Sequence, residues 1–167
     1  MRALALGLLL AGCNAAPPPG GVQVAIGTTN LDGSGFLPLD GDQPLVAGAQ
    51  GGFHVWLTYR VQGMAPATIV VKRTARRVSD DKLVMKTQDD VEIDAPSADG
   101  WWSLPAPVRS FMCPTPIGVQ VADEQIRFDV ELDLPDGQTV TGDATATPRC
   151  PPPTDGQYQH CLQICNG

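Results

Sequence analysis

The chain has 167 residues, 43% of them hydrophobic, which is the size and composition of one folded domain able to bury most of its apolar surface. Eleven Lys and Arg stand against 18 Asp and Glu, a formal charge of −7. That excess excludes nucleic acid and anionic lipid surfaces as charge-driven partners, because both bind through basic side chains that neutralise phosphates.

The first element in chain order is a targeting segment. Arg2 supplies one positive charge, Ala3 to Leu10 form an uncharged run of Ala, Leu and Gly, and Ala11, Gly12 and Cys13 follow. This is the order of a secretory signal peptide. The run is too short to span a bilayer, which takes roughly 20 residues as a helix. Leu10, Ala11, Gly12 and Cys13 match a lipobox, and here the segment resembles the precursors of bacterial lipoproteins. The resemblance covers the N-terminus alone. It implies an N-terminal signal helix, cleavage after Gly12, acylation of Cys13 and a membrane partner reached through that anchor. Asn14, in place of Asp, is similar to the outer-membrane sorting default. Residues 13–21 then read as a lipidated cysteine and a stiff Pro/Gly tether.

Residues 22–150 read as one all-β domain. Alternation of period two dominates, and no later segment sustains a helical period. Strands are expected at Val22 to Ile26, Phe36 to Leu39, Phe53 to Val61, Thr68 to Ala75, Leu83 to Thr87, Val91 to Asp94 and Val119 to Val121. The clearest is Phe53 to Val61, with Phe53, Val55, Leu57, Tyr59 and Val61 on one face and His54, Trp56, Thr58 and Arg60 on the other. The odd-numbered face is expected in the core. A hairpin follows: Ile126 to Leu134 alternates, Asp136 and Gly137 turn, and Gln138 to Thr147 returns. The prolines, Pro148 among them, are expected in connections and edges. Strand number and spacing predict a single antiparallel β-sandwich, which resembles the immunoglobulin and fibronectin type III class in architecture only. The antibody-type Cys, Trp, Cys arrangement is missing. Residues 151–167 read as a Pro-rich tail, a loop or short turn held by a disulfide.

Besides Cys13, four cysteines remain: Cys113, Cys150, Cys161 and Cys165. An exported chain with an even number implies two disulfides, and three pairings are open. Proximity in sequence favours Cys113 with Cys150 and Cys161 with Cys165. A zinc site from the same thiols lacks the C-x₂-C spacing of zinc fingers.

Catalytic signatures are sparse. With His54 and His160 the only histidines, and no G-x-S-x-G elbow, P-loop, dinucleotide motif or zincin motif, no catalytic residue and no cofactor is assigned. The carboxylate pairs Asp40/Asp42, Asp80/Asp81, Asp89/Asp90 and Glu92/Asp94 read as turns and solvated faces, with a calcium site or a hydrolase as the alternatives. Copper would have to use His54, Met64, Met85, Met112 and His160, which do not cluster in sequence. The basic group Lys72, Arg73, Arg76 and Arg77 reads as a solvated face. Trp101 and Trp102 are the most suggestive pair: adjacent residues of a strand point to opposite faces, so one ring enters the core and the other covers something outside it. The binding candidates are therefore His54, Trp56, Trp101 and Trp102, in a non-enzymatic module of the cell envelope with a protein or glycan partner.

Overall fold

The structure, a computed structural model, describes residues 21–30 and 32–167. The signal segment, Cys13 and the tether up to residue 20 lie outside the described residues.

Eleven strands and one helix follow one another: β1 (Gln23–Thr28), β2 (Leu37–Pro38), β3 (Asp42–Pro44), β4 (Val46–Ala47), β5 (Phe53–Gln62), β6 (Ala67–Arg77), β7 (Leu83–Ile93), β8 (Trp101–Ser103), β9 (Val108–Cys113), β10 (Ile126–Asp133), β11 (Thr139–Arg149) and α1 (Tyr158–Cys165). They build an all-β sandwich. In the first sheet β5 is the hub, paired along one side with β1 and β4 and along the other with β8 and β9, and β2 flanks β1. The second sheet has the order β3-β11-β10-β6-β7.

Alternation explains the packing. Phe53, Val55, Leu57, Tyr59 and Val61 of β5 are all at most 2% exposed and meet Ile69, Val71 and Ala75 of β6 and Ile126, Phe128, Val130 and Leu132 of β10. Each such side chain contributes about 1.5–3 kcal/mol by leaving water. The expected strand and its inward face stand as read. So does the hairpin: β10 and β11 pair from Ile126↔Ala146 to Asp133↔Thr139, and Gly137 takes the positive φ of 83° that the loop Pro135 to Gly137 requires. The sandwich also closes along one side, where Gly142 of β11 lies against Val24 of β1 so tightly that an added Cβ would stand 3.0 Å from Val24 Cγ1.

Several expectations are corrected. Leu83 to Thr87 and Val91 to Asp94 are halves of one strand, β7, because the polar Gln88, Asp89 and Asp90 between them continue the pairing with β6. As the edge of its sheet, β7 gains from those charges, which discourage pairing with another chain. Val119 to Val121 is buried but is no strand; its backbone bonds to the helix end, Val121 N–H donating to the Cys165 carbonyl at 2.8 Å. Pro148 lies inside β11, but beyond the last β10 pair, where only the short parallel β3 adjoins it.

The tail differs most. Tyr158–Cys165 is a helix, with Cys161 and Cys165 one turn apart and fully buried. The disulfides are Cys113–Cys165 and Cys150–Cys161, not the pairing favoured by sequence proximity. A helix explains the change: residues four apart point the same way, so both thiols turn toward the sandwich and meet partners on it. Cys113 ends β9 in the first sheet and Cys150 follows β11 in the second, so α1 is bound covalently to both layers.

Candidate functional site

The outer face of the first sheet gathers most of the candidate residues. Register places Phe111 of β9 beside His54, Arg109 beside Trp56, Ser103 of β8 beside Arg60, and Trp101 beside Gln62. The result is a band of aromatic and guanidinium groups along β5. His54 and Trp56 meet edge to face with centroids 4.7 Å apart, and the Arg109 guanidinium stands 5.3 Å from the Trp56 ring centroid. His54 is buried, and among the described residues neither ring nitrogen has a hydrogen-bond partner. Burial, and then the charge of Arg109, hold its pKa below the ordinary 6.5. Phe111, although half exposed, lies against that imidazole with ring centroids 6.0 Å apart.

Further along the strand, Arg60 is stacked between two rings, 4.2 Å from the Phe36 centroid and 4.3 Å from that of Trp101. Its Nε is buried with no hydrogen-bond partner among the described residues, and the two π faces cover the group. The tryptophan pair divides as alternation demands. Trp102 is 8% exposed and tilts against Tyr59 at 6.4 Å, whereas Trp101 covers Arg60 on the outer face. Burial drives the Tyr59 phenol well above its ordinary pKa.

Phe36 ends the β1–β2 loop, which folds back over the sheet. Gly27 makes room for it: an added Cβ would lie 2.6 Å from the Phe36 ring and would collide with the Leu37 carbonyl. The loop braces itself, with Asp32 Oδ1 accepting from Ser34 N–H at 2.9 Å and Asn30 Nδ2 donating to the Ser34 carbonyl at 3.0 Å. The hydrogen bonds from Ser34 hold the Asp32 carboxyl below the usual carboxylate range.

Between this loop and β5 lies a groove. Its larger chamber, about 670 Å³, is walled by Trp56, Leu37, Val46 and Pro107, with Asn30 and Gln43 among its polar groups. A second chamber of about 440 Å³, over Thr58, Arg60 and Ser103, shares Thr29, Gly33 and Pro107 with the first, so the two are neighbours. The larger chamber is mostly apolar with a few polar groups, the usual constitution of a small-ligand site, whereas the second is more polar.

Other singled-out residues lie elsewhere. Met85 and Met112 are buried in the core, and His160 on α1 bonds the Gly51 carbonyl at 2.9 Å, so the copper set is not brought together around His54. Alternation splits the basic group. Lys72 bridges Glu131 and Asp133 on the outer face of the second sheet, whereas Arg73 is buried on its inner face with Asp89 at 2.7 Å, so Arg73 is no part of a solvated face. Of the carboxylate pairs, Asp80 is held by Arg77 and Lys82, which lower its pKa far below the carboxylate range. Asp42 is taken by Arg149, and Asp81 by Arg76 and Arg127.

Phe36, Arg109 and Phe111 were not singled out by sequence reasoning. β9 does alternate, but prolines at 105, 107 and 114 surround it and mask the signal. No family model and no curated protein matches the sequence. Among solved structures, the sporulation control protein Spo0M from Bacillus subtilis aligns over 86% of this chain and 54% of its own, with 14% identity and a TM-score of 0.38. The chain thus spans about half of that protein. Murine CRIg aligns over 80% of this chain and 100% of its own, with 13% identity and a TM-score of 0.37. Likenesses this distant carry no argument about function.

Proposed function

We propose that this chain is a non-enzymatic binding module of the cell envelope, tethered through an acylated Cys13, and that its ligand lies in the groove beside Trp56. The lipobox at Leu10 to Cys13 supports the tether. The observation that carries the binding site is the groove itself: an indole wall, few polar groups, and a loop braced above it. An uncharged ring with apolar faces and hydroxyl edges suits it best. One face stacks on Trp56, and the hydroxyls meet groups such as Asn30 and Gln43. A glycan of the envelope is that kind of ligand.

The experiment has two arms. Binding of the full-length protein in detergent to immobilised envelope polysaccharides is expected to weaken tenfold or more in Trp56→Ala, the equivalent of about 1.4 kcal/mol. Equal binding by wild type and variant overturns the groove. For the anchor, Cys13→Ser is expected to leave the membrane fraction, and a variant that still fractionates and migrates like lipidated wild type overturns the tether.

A further inference from the structure

The two disulfides touch. Cys161 Sγ and Cys165 Sγ, which belong to different bridges, are 3.8 Å apart. The sulfurs of Cys150, Cys161 and Cys165 all lie within 4.8 Å of one another, and Cys113 adds a fourth through its bond to Cys165. Three sulfurs thus stand close together at the face of α1, and the fourth is bonded to one of them.

One contact in that group has the spacing of a tetrathiolate metal centre. With zinc–sulfur bonds of about 2.3 Å, a tetrahedron has sulfur–sulfur edges of about 3.8 Å. The contact between Cys161 and Cys165 already has this length. To reach it, the two covalent edges, about 2.0 Å in any disulfide, have to open by about 1.8 Å each, and the Cys113 sulfur has to close on the others once its bond to Cys165 is broken. Sequence spacing pointed away from zinc because it counts only near neighbours. Here the fold supplies the second pair of ligands from the ends of strands in opposite sheets, Cys113 at the end of β9 and Cys150 just after β11.

We propose that the four-cysteine cluster is a redox-governed zinc site, in which four thiolates take one zinc ion once both disulfides are reduced. The chemistry balances. Each disulfide accepts two electrons and two protons from a dithiol, which closes to its own disulfide, and zinc then displaces one proton from each of the four thiols. Reoxidation of the four thiolates by a disulfide oxidant restores the two bridges and releases the ion. Cys161 and Cys165 are fully buried and Cys113 is 2% exposed, whereas Cys150 is half-buried and forms the entry for reductant and ion. In either state α1 stays clamped to both sheets. The inference is independent of the Trp56 groove.

The full chain, reduced with a phosphine that does not chelate metals and handled without oxygen, is titrated with cobalt(II) and then zinc. Expected are one cobalt per chain, intense tetrahedral d–d absorption with thiolate charge-transfer bands, displacement by zinc, and a circular dichroism spectrum that keeps its strand signature. The disulfide form is expected to bind none. Cys161→Ser should weaken binding more than a hundredfold, and Cys150→His, which keeps a ligand, should still bind with a shifted cobalt spectrum. The proposal is overturned if the reduced chain binds no stoichiometric cobalt or if the disulfide form binds as well. It is equally overturned if both variants behave as wild type or if the cobalt bands arise only on unfolded chain.

Discussion

The imidazole of His54 stands at a right angle to the indole of Trp56, ring centroids 4.7 Å apart, in a pocket that offers neither of its nitrogens a partner. Protonation there would place a second cation near Arg109, away from water. The folded pKa therefore lies below 6.5, and only the unfolded chain gains the proton first. The stability this confers is complete above pH 6.5 and is lost as pH falls below it toward the folded pKa. A thermal melt followed by circular dichroism should show a lower Tm at pH 5 than at pH 7.5. His54→Phe should flatten the difference and, by removing unpaired polar atoms, cost little at pH 7.5. A wild-type Tm that does not move between the two pH values would contradict the arrangement.

The Arg60 stack makes a different prediction. A guanidinium between two rings contributes about 0.5–2 kcal/mol through each cation–π contact, and an ammonium lacks the flat face that both rings use. Arg60→Lys should therefore destabilise the domain although charge is conserved, and it should free Phe36, so that limited proteolysis cuts first in the Asn30 to Phe36 loop. Cleavage there at the wild-type rate would show that the loop is braced by its own hydrogen bonds alone.

The bridges should contribute unequally. Cys113–Cys165 closes 52 residues and Cys150–Cys161 closes 11. Loop-closure entropy then assigns about 4 and about 3 kcal/mol respectively. Paired serine variants, compared by urea unfolding, should rank in that order, and peptide mapping of the oxidised protein should recover these two pairings. Recovery of Cys161–Cys165 instead would overturn the connectivity.

Much of the sandwich was legible because alternation reports which side of a strand is wet. Leu57 is a case: 2% exposed, it should cost about 2–5 kcal/mol as Leu57→Ala. Alternation says nothing of what lies over the other face. Thr58 is 3% exposed as well, because the loop from Thr29 to Phe36 folds over it, and no local pattern announces such a return. The disulfides were illegible for a related reason. Pairing followed the direction in which a short helix points its cysteines, and that helix, eight residues long, is too brief to sustain a helical period. The site stands between these cases. His54, Trp56 and Arg60 were placed on one face correctly, while Phe36 and Phe111, which complete the band, arrive from segments that short strands and prolines obscure.

Room is the limiting quantity beneath the loop. Gly27→Ala puts a methyl group into the Phe36 ring and the Leu37 carbonyl, and overpacking of this kind costs about 1–3 kcal/mol. The same variant should lose polysaccharide binding in step with Trp56→Ala, because it displaces the wall facing that ring. Unchanged stability and binding would show that β2 yields without consequence.

β1 enters the sheet at Gln23 and runs antiparallel to β5, paired from Gln23↔Gln62 to Gly27↔Thr58. A pull directed along the axis of that strand loads those pairs lengthwise. Five residue pairs then resist together in shear, and none can be peeled from the next in turn. A domain pulled in that direction meets the load with the hub strand of the first sheet as the anvil.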